Sequence, residues 1–208
     1  DVLCNPVFLS YMIIYADSAV LYANEKIFNE DIKEYISSLK IEIRPYMSFY
    51  SDLKVIKAEN HVLIDSRNSN YLIKMSLPDK IKITDKQSPV ILMKSVKNKT
   101  EYENERKAHI KDGIAVTKFM YWLQKNVGKM QITEVSAAKK LEALRNEQEG
   151  YLGPSFTPIM AYREHGAIVH YSATEESDIA LQPESFLLSD TGGHYYDGST
   201  DITRTFPL

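Results

Sequence analysis

The chain has 208 residues, of which 44% are hydrophobic and 25% are charged, and its formal net charge at pH 7 is -3. This size suits a globular protein of one large domain or two small ones, and the acidic balance with scattered Lys and Arg argues against a nucleic-acid partner. The single cysteine, Cys4, excludes an internal disulfide, and no apolar run approaches the roughly 20 residues of a membrane span, so we expect a cytoplasmic protein that binds no membrane.

Strand-like and helix-like segments alternate in the first half of the chain. Strands are predicted at residues 7–15, 19–22, 41–44, 62–65, 80–84 and 90–93, and helices near residues 28–39, 50–57 and 69–76. Residues 1–96 are therefore predicted to form an α/β domain. Because the first residue is Asp1 and the sequence after it is typical of the middle of a domain, we expect an internal fragment of a longer protein.

The character of the sequence changes at Lys97, where a second predicted domain, residues 97–208, begins. Thr100 and Glu103 predict a capping box at the start of a long helix that ends at Gly128. A second helix is predicted from Thr133, as N-cap, to a terminating glycine at position 150. Strands are predicted at residues 155–160, 166–171, 185–191 and 202–206, so this half is predicted to be an α+β domain.

Asp190 is the first candidate for chemistry. Alternation places it on the same strand face as Phe186 and Leu188, where an unpaired buried carboxylate would be costly and a divalent cation would be a strong partner. The ordinary alternative is an Asp that caps the turn at Thr191-Gly192-Gly193. The residues alone leave both interpretations open.

Hairpin geometry predicts that Asp190 and Asp201 lie apart. Asp197-Gly198 between two strands predicts a two-residue loop, which would place Asp190 opposite Thr205, on the order of 13 Å along the strand from Asp201. A bulge or bend at Gly192-Gly193 could bring the two carboxylates together. Taken alone, Asp201 is as well explained by an edge-strand carboxylate.

The histidines and the cysteine give weaker signals. His170 lies in the predicted strand 166–171, and an isolated strand histidine is more often a hydrogen-bonded core or turn residue than a functional one. No Gly-x-Ser-x-Gly elbow supports a serine nucleophile, and Cys4 has no local nucleophile signature.

The segment LLSDTGGHYYDGSTDITRT, residues 187–205, closely resembles the metal-site signature of Xaa-Pro aminopeptidases, in the pita-bread metallopeptidase superfamily that includes prolidase, methionine aminopeptidase and creatinase. DVLCNPVFLSY is similar to the second domain of the large three-domain cytosolic type, SVKNKTEYENERKAHIKDGIAVTKFMYWL to the first catalytic-domain helix, and SFTPIMAYREHGAIVHY to the strand pair that carries the active-site histidine. The resemblance implies a partial creatinase-like α/β domain over residues 1–96, followed by the first half of a pita-bread catalytic domain over residues 97–208.

The resemblance also implies roles for individual residues. Asp190 would be a bidentate ligand of one divalent ion, Asp201 would bridge two ions, and His170 would be the catalytic histidine that contacts the substrate. Thr203 and Arg204 would support the ligands from behind. Two ions, Mn²⁺ or alternatively Zn²⁺ or Co²⁺, would hold a bridging hydroxide that attacks the carbonyl preceding proline, and the substrates would be peptides with proline at position two.

The family's other ligands, one His and two Glu, lie beyond this signature, so we expect the 208 residues alone to lack a full metal site and to be inactive. The intact protein is expected to be a cytoplasmic homodimer. Two alternatives remain on the same fold: a prolidase-type dipeptidase or creatine hydrolase, and a non-enzymatic pita-bread interaction module. The presence of both Asp190 and Asp201 argues against the module.

Overall fold

Residues 2–57 and 59–208 are described by a computed structural model, in which the chain forms two compact units. One unit is Val7–Val96. The other combines Lys97–Leu208 with the residues up to Pro6.

The unit Val7–Val96 contains a three-stranded sheet in the order β1-β2-β3. Its strands are Tyr11–Ile14, Ala19–Ala23 and Ile41–Pro45. The first two are antiparallel, and β3 runs parallel to β2 after the crossover helix α1, Glu30–Ser38. The remaining elements are α2 (Ser48–Leu53), β4 (His61–Ile64), α3 (Tyr71–Met75), β5 (Lys82–Asp85) and α4 (Pro89–Ser95), with β4 and β5 parallel. The predicted α/β class is confirmed.

Helix α4 occupies the segment that was predicted as the strand 90–93, so that prediction is wrong. Ser88 is the N-cap, and its hydroxyl accepts a hydrogen bond of 3.3 Å from the backbone N–H of Val90. Pro89 stands at the first helical position, where its fixed φ suits a helix and its missing N–H costs nothing. The N-cap Ser88 and the following Pro89 therefore outweigh the β-propensity of Val90 and Ile91.

Two helices form one side of the other unit. Helix α5 is Lys99–Asn126, and helix α6 is Glu134–Asn146, with Thr133 as its N-cap as predicted. The capping box of α5 uses Asn98 and Glu101 instead of the predicted Thr100 and Glu103, because the helix begins two residues earlier. In the described part of the chain, no helix is long and apolar enough to cross a membrane.

The sheet that packs against these helices has the order β10-β8-β7. β7 is Ile159–Tyr162, β8 is Phe186–Thr191 and β10 is Ile202–Pro207, with β8 antiparallel to both neighbours. A small second sheet pairs β6, Tyr151–Pro154, with β9, Gly193–Tyr195. The strand predicted at residues 166–171 is wrong: a 3-10 helix, Arg163–Ala167, and a turn occupy it.

Alternation along β8 assigns its two faces to different environments. Leu187, Ser189 and Thr191 are buried, with Leu187 packed in the hydrophobic core of α5 and α6. Phe186 is 60% exposed, so the face that it shares with Asp190 is the open face of the strand. Asp190 shares this face with Phe186 and Leu188 as predicted, and the face lies outside the hydrophobic core of α5 and α6.

Phe119 of α5 is a test of this core. It is fully buried and its ring lies 6.0 Å from that of Phe206, edge to face. We expect Phe119→Ala to lower the free energy of unfolding by about 3–5 kcal/mol, because the cavity cannot close fully. Tyr121→Ala, at a position 64% exposed on the same helix, should cost less than about 1 kcal/mol. Urea unfolding of both variants measures the difference, and equal costs would contradict this packing.

Candidate metal centre

The two candidate ligands, Asp190 and Asp201, lie on the same face of the hairpin formed by β8 and β10. Thr203 pairs with Asp190 across the two strands, and Asp201 stands two residues before Thr203, so both carboxylates leave the sheet on the open face. Diagonal neighbours of this kind have Cα atoms about 7–8 Å apart. The backbone therefore holds the two aspartates close enough for their carboxylates to approach each other.

This register differs from the predicted one. Tyr195 and Gly198 exchange backbone hydrogen bonds of 2.8 and 3.2 Å, so the two-residue loop is Tyr196-Asp197 instead of Asp197-Gly198. Thr205 consequently pairs with Leu188, and not with Asp190. A loop placed one residue earlier reduces the offset between the aspartates from four residues to two, and the predicted separation is wrong for that reason.

The bulge proposed at Gly192-Gly193 is not what brings the carboxylates together. His194 pairs with Ser199 beyond the glycines and Thr191 pairs with Ile202 before them, so the register is the same on both sides. The glycines serve close packing instead. A Cβ atom on Gly192 would overlap the carbonyl oxygen of Thr200.

Asp190 carries a feature typical of a metal ligand. Its side chain is partly buried, and its Oδ1 atom is one of two fully buried side-chain polar atoms in the described residues that have no hydrogen-bond partner. A buried carboxylate oxygen without a donor is costly, and a divalent cation would satisfy it. The donor set therefore fits a hard cation bound by oxygen.

Asp201 is exposed and immediately precedes β10, and Thr203 and Thr205 follow it on the same strand face. Within residues 2–57 and 59–208, no three His, Cys, Asp or Glu side chains lie together in a way that could hold a metal ion. Asp190 and Asp201 are thus two candidates for the five ligands that the resemblance implies.

Thr203 and Arg204 lie on opposite faces of β10. Thr203 faces Asp190 directly, so its side chain borders the carboxylate across the hairpin. Arg204 is exposed on the other face, and its Nη1 donates a hydrogen bond of 2.7 Å to the carbonyl of Thr203. Arg204 therefore contacts the backbone of the strand that follows Asp201.

His170 lies in an exposed turn after the 3-10 helix, with a left-handed backbone conformation (φ 56°), and not in a strand. The 3-10 helix that precedes this turn lies beside β8, because a Cβ atom built on Gly166 would lie 3.9 Å from that of Leu188. Leu188 is two residues from Asp190 on the open face of β8. The 3-10 helix thus lies beside the face that carries Asp190, and the turn of His170 follows this helix.

A buried carboxylate that the sequence analysis missed, Glu134, holds this segment. Glu134 is fully buried at the start of α6 and accepts hydrogen bonds from the backbone N–H of Tyr162 (2.7 Å), the hydroxyl of Tyr171 (2.8 Å) and Nδ1–H of His165 (2.9 Å). The rings of His165 and Tyr171 also stack, with centroids 4.5 Å apart. Residues on both sides of His170 are therefore tied to one carboxylate. In sequence, Glu134 reads only as an ordinary acid in the first turn of a helix.

The hairpin loop is tied to α5 through an ion pair between Asp197 and Lys111. Both side chains are 23% exposed, and the hydrogen bond from the Lys111 ammonium holds the pKa of the Asp197 carboxyl below its usual range. Asp197 therefore supports the loop from a place outside the open face.

Sequence comparison finds two family matches that meet near residue 102. Residues 1–101 match the Creatinase/Prolidase N-terminal domain, and residues 103–208 match metallopeptidase family M24. A probable Xaa-Pro aminopeptidase P of Sordaria macrospora is 35% identical over 216 residues, which cover 99% of this chain and 35% of that protein. The chain spans about a third of the length of the curated relatives that it matches.

Structure comparison agrees with these matches. An X-prolyl aminopeptidase of Caenorhabditis elegans, described as a cytosolic enzyme with a di-nuclear active site, superposes with a TM-score of 0.86 at 27% identity, covering 98% of this chain and 34% of that one. A prolidase of Pyrococcus horikoshii has a TM-score of 0.69 at 25% identity, covering 96% of this chain and 54% of that one.

The ion pair between Lys111 and Asp197 predicts a pH-dependent coupling. Lys111→Met and Asp197→Asn should each lower the free energy of unfolding by about 0.5–1 kcal/mol at pH 7, and the double variant by no more than either single one. The folded pKa of Asp197 is depressed, so this stabilisation is complete above the unfolded pKa of about 3.9 and is lost as the pH falls through the folded value. Urea unfolding of the four proteins at pH 7 and at about pH 3 measures the coupling. A coupling of the same size at both values would contradict the assigned pKa.

The contacts of Glu134 predict that Glu134→Gln loosens the turn around His170. The amide places an N–H₂ where one carboxylate oxygen accepts hydrogen bonds, so contacts with His165 or Tyr171 are lost. Hydrogen exchange of residues 163–171 should accelerate by about tenfold, the effect of about 1.4 kcal/mol. Glu149→Gln, at an exposed position after α6, is the control. Unchanged exchange in Glu134→Gln would show that Glu134 does not hold the turn.

Proposed function

This chain belongs to metallopeptidase family M24, and from that membership we propose that the intact protein is a metal-dependent exopeptidase that releases the N-terminal residue of peptides with proline at position two. The observation that carries the proposal is the placement of Asp190 and Asp201 on one open face, with the buried Oδ1 of Asp190 lacking a hydrogen-bond partner. The similarity to Xaa-Pro aminopeptidases over 99% of the chain supports the substrate class.

In this proposal Asp190 and Asp201 hold two divalent cations. Carboxylate oxygens favour hard ions, so Mn²⁺ is the first choice, with Zn²⁺ or Co²⁺ as alternatives. The bound cations would supply Lewis-acid polarisation of the scissile carbonyl and an activated water. The di-nuclear site of the Caenorhabditis elegans enzyme supports the number of ions. Because the described residues bring no third ligand to the aspartates, the 208 residues by themselves are proposed to be inactive.

The other site residues act around the aspartates. His170 is proposed to contact the substrate near the scissile peptide, and its turn is supported by the hydrogen bond of the neighbouring Tyr171 to Glu134. Thr203 limits the space beside Asp190, and Arg204 steadies the backbone of β10 through the Thr203 carbonyl. The carboxylates would therefore meet a cation from a strand geometry that is already fixed, which lowers the cost of binding.

A prolidase-type dipeptidase is the second candidate, and the fold similarity to the Pyrococcus horikoshii prolidase favours it. The two activities differ in substrate length. A substrate panel therefore separates them: the intact protein should cleave Xaa-Pro-Yaa tripeptides, whereas a dipeptidase would leave the tripeptide uncut and hydrolyse only Xaa-Pro. We further propose a cytoplasmic homodimer, for which the cytosolic Caenorhabditis elegans enzyme and the family resemblance are the support.

Replacing Asp201 tests the metal centre. In the intact protein, Asp201→Asn removes one anionic ligand but keeps the shape of the side chain, so we expect loss of bound metal and a fall of at least about 100-fold in kcat/KM for an Xaa-Pro-Yaa peptide. Asp197→Asn is the matched control, since Asp197 lies in the hairpin loop and pairs with Lys111. Elemental analysis after dialysis and peptide cleavage are the two measurements.

Equal metal content in Asp201→Asn and the wild type would exclude Asp201 as a ligand. Absence of metal from the wild-type protein itself, with no peptide cleavage after incubation with Mn²⁺, would favour the non-enzymatic interaction module.

A further inference from the structure

A fully buried ion pair lies directly behind the open face of the hairpin. Asp112 of α5 and Arg145 of α6 have side chains that are 0% and 3% exposed. The guanidinium contacts both carboxylate oxygens, with Nε 2.6 Å from Oδ1 and Nη2 3.2 Å from Oδ2. This bidentate arrangement fixes the plane of the guanidinium relative to the plane of the carboxylate.

The pair is also bonded to the hairpin at two points. Arg145 Nη2 donates a hydrogen bond of 2.9 Å to Oγ1 of Thr191, and Oγ1 of Thr200 donates one of 2.5 Å to Oδ2 of Asp112. Both threonines are buried, at 1% and 2% exposure. Thr191 directly follows Asp190, and Thr200 directly precedes Asp201. Each candidate ligand is therefore one peptide bond away from a hydroxyl that the same ion pair holds.

The position of these contacts matters because side chains alternate along a strand. Thr191 points to the core side of β8 and Asp190 to the open side, so fixing the threonine hydroxyl fixes the peptide that aims the carboxylate. Thr200 is held a second time, since the backbone N–H of Gly193 donates to its Oγ1 over 2.9 Å. The side chains of Asp112 and Arg145 thus link Thr191 of β8 to Thr200, which lies before β10. This link stands beside the two glycines, Gly192 and Gly193.

Stability alone does not account for a buried ion pair in this place. Desolvation of two charges offsets much of their attraction, and apolar residues of similar volume are often equally stabilising. What apolar residues would not supply is the pair of directional hydrogen bonds to Thr191 and Thr200.

We propose that Asp112 and Arg145 are positioning residues that set the separation and orientation of Asp190 and Asp201, and so determine the affinity for divalent metal. The inference rests on the proposed function, because it assumes that the two aspartates are ligands. It assigns the four buried side chains, Asp112, Arg145, Thr191 and Thr200, to one supporting unit, which we name the threonine clamp.

Threonine substitutions in the intact protein test the clamp with little change in shape. Thr191→Val/Thr200→Val removes both hydroxyls, while Thr191→Ser/Thr200→Ser keeps them and removes only the methyl groups. Titration of the metal-free proteins with Mn²⁺ in a calorimeter should show about 10–100-fold weaker binding for the valine variant. The serine variant should bind within about threefold of the wild type. Thr205→Val, at an exposed position of β10 that contacts neither Asp112 nor Arg145, is the control and should match the wild type.

A second variant covers the case in which the valine protein does not fold. Asp112→Leu/Arg145→Met removes both charges together, which avoids an unpaired buried charge. We expect it to stay folded, as judged by urea unfolding, and to lose Mn²⁺ affinity to a similar extent. Affinity that falls only in proportion to the unfolded fraction would reduce the clamp to an ordinary stabilising contact and overturn the proposal.

The outcomes separate the inference from the proposed function. Wild-type Mn²⁺ binding together with unchanged affinity in the valine and the charge-free variants would overturn the clamp and leave the proposed function intact. A wild-type protein that binds no Mn²⁺ and cleaves no Xaa-Pro peptide would overturn both. Weak binding in the valine variant with recovery in the serine variant is the result that supports the clamp.

Discussion

Backbone pairing of β8 with β7 on one side and with β10 on the other holds Asp190 between Ile159 and Thr203. This register tolerates no shift, because a slip of one residue would turn every side chain of the strand to the opposite face. Asp190 would then point into the core of α5 and α6, and Thr191 would lose its contact with Arg145. Both the candidate metal centre and the support behind it therefore depend on one hydrogen-bonding pattern.

The two faces of this sheet have different roles: the inner face holds the strands in place, and the outer face carries the candidate ligands. The inner face contains apolar contacts and a buried ionic network, and both favour one arrangement of the strands. The outer face carries Asp190 and Asp201, whose carboxylates lie outside the hydrophobic core. Two buried carboxylates connect the interior to the outer elements. Glu134 holds Tyr171, next to His170, and Asp112 holds Thr200, next to Asp201.

Sequence reasoning succeeded where one strong local signal determined the structure. The apolar spacing of α5 and α6, the Thr133 cap of α6 and the alternation in β8 and β10 predicted those elements, with ends displaced by a few residues and a different capping box for α5. It failed where two signals competed: Pro89 after Ser88 outweighed a β-branched run, and Tyr196-Asp197 closed the hairpin in place of Asp197-Gly198. Glu134, Asp112 and Arg145 were not predicted, because their partners lie about 30 to 90 residues away and only tertiary packing brings them together.

The left-handed backbone conformation of His170 carries a conformational cost within the turn. A side chain with a Cβ atom costs roughly 1–2 kcal/mol in this conformation, whereas glycine adopts it freely. On stability alone, glycine or asparagine would suit position 170 better than histidine. The hydrogen bond from the adjacent Tyr171 to Glu134 is a local contact that offsets this cost. Replacing His170 by glycine would therefore remove this backbone cost, but also the imidazole to which the family resemblance assigns the contact with the substrate.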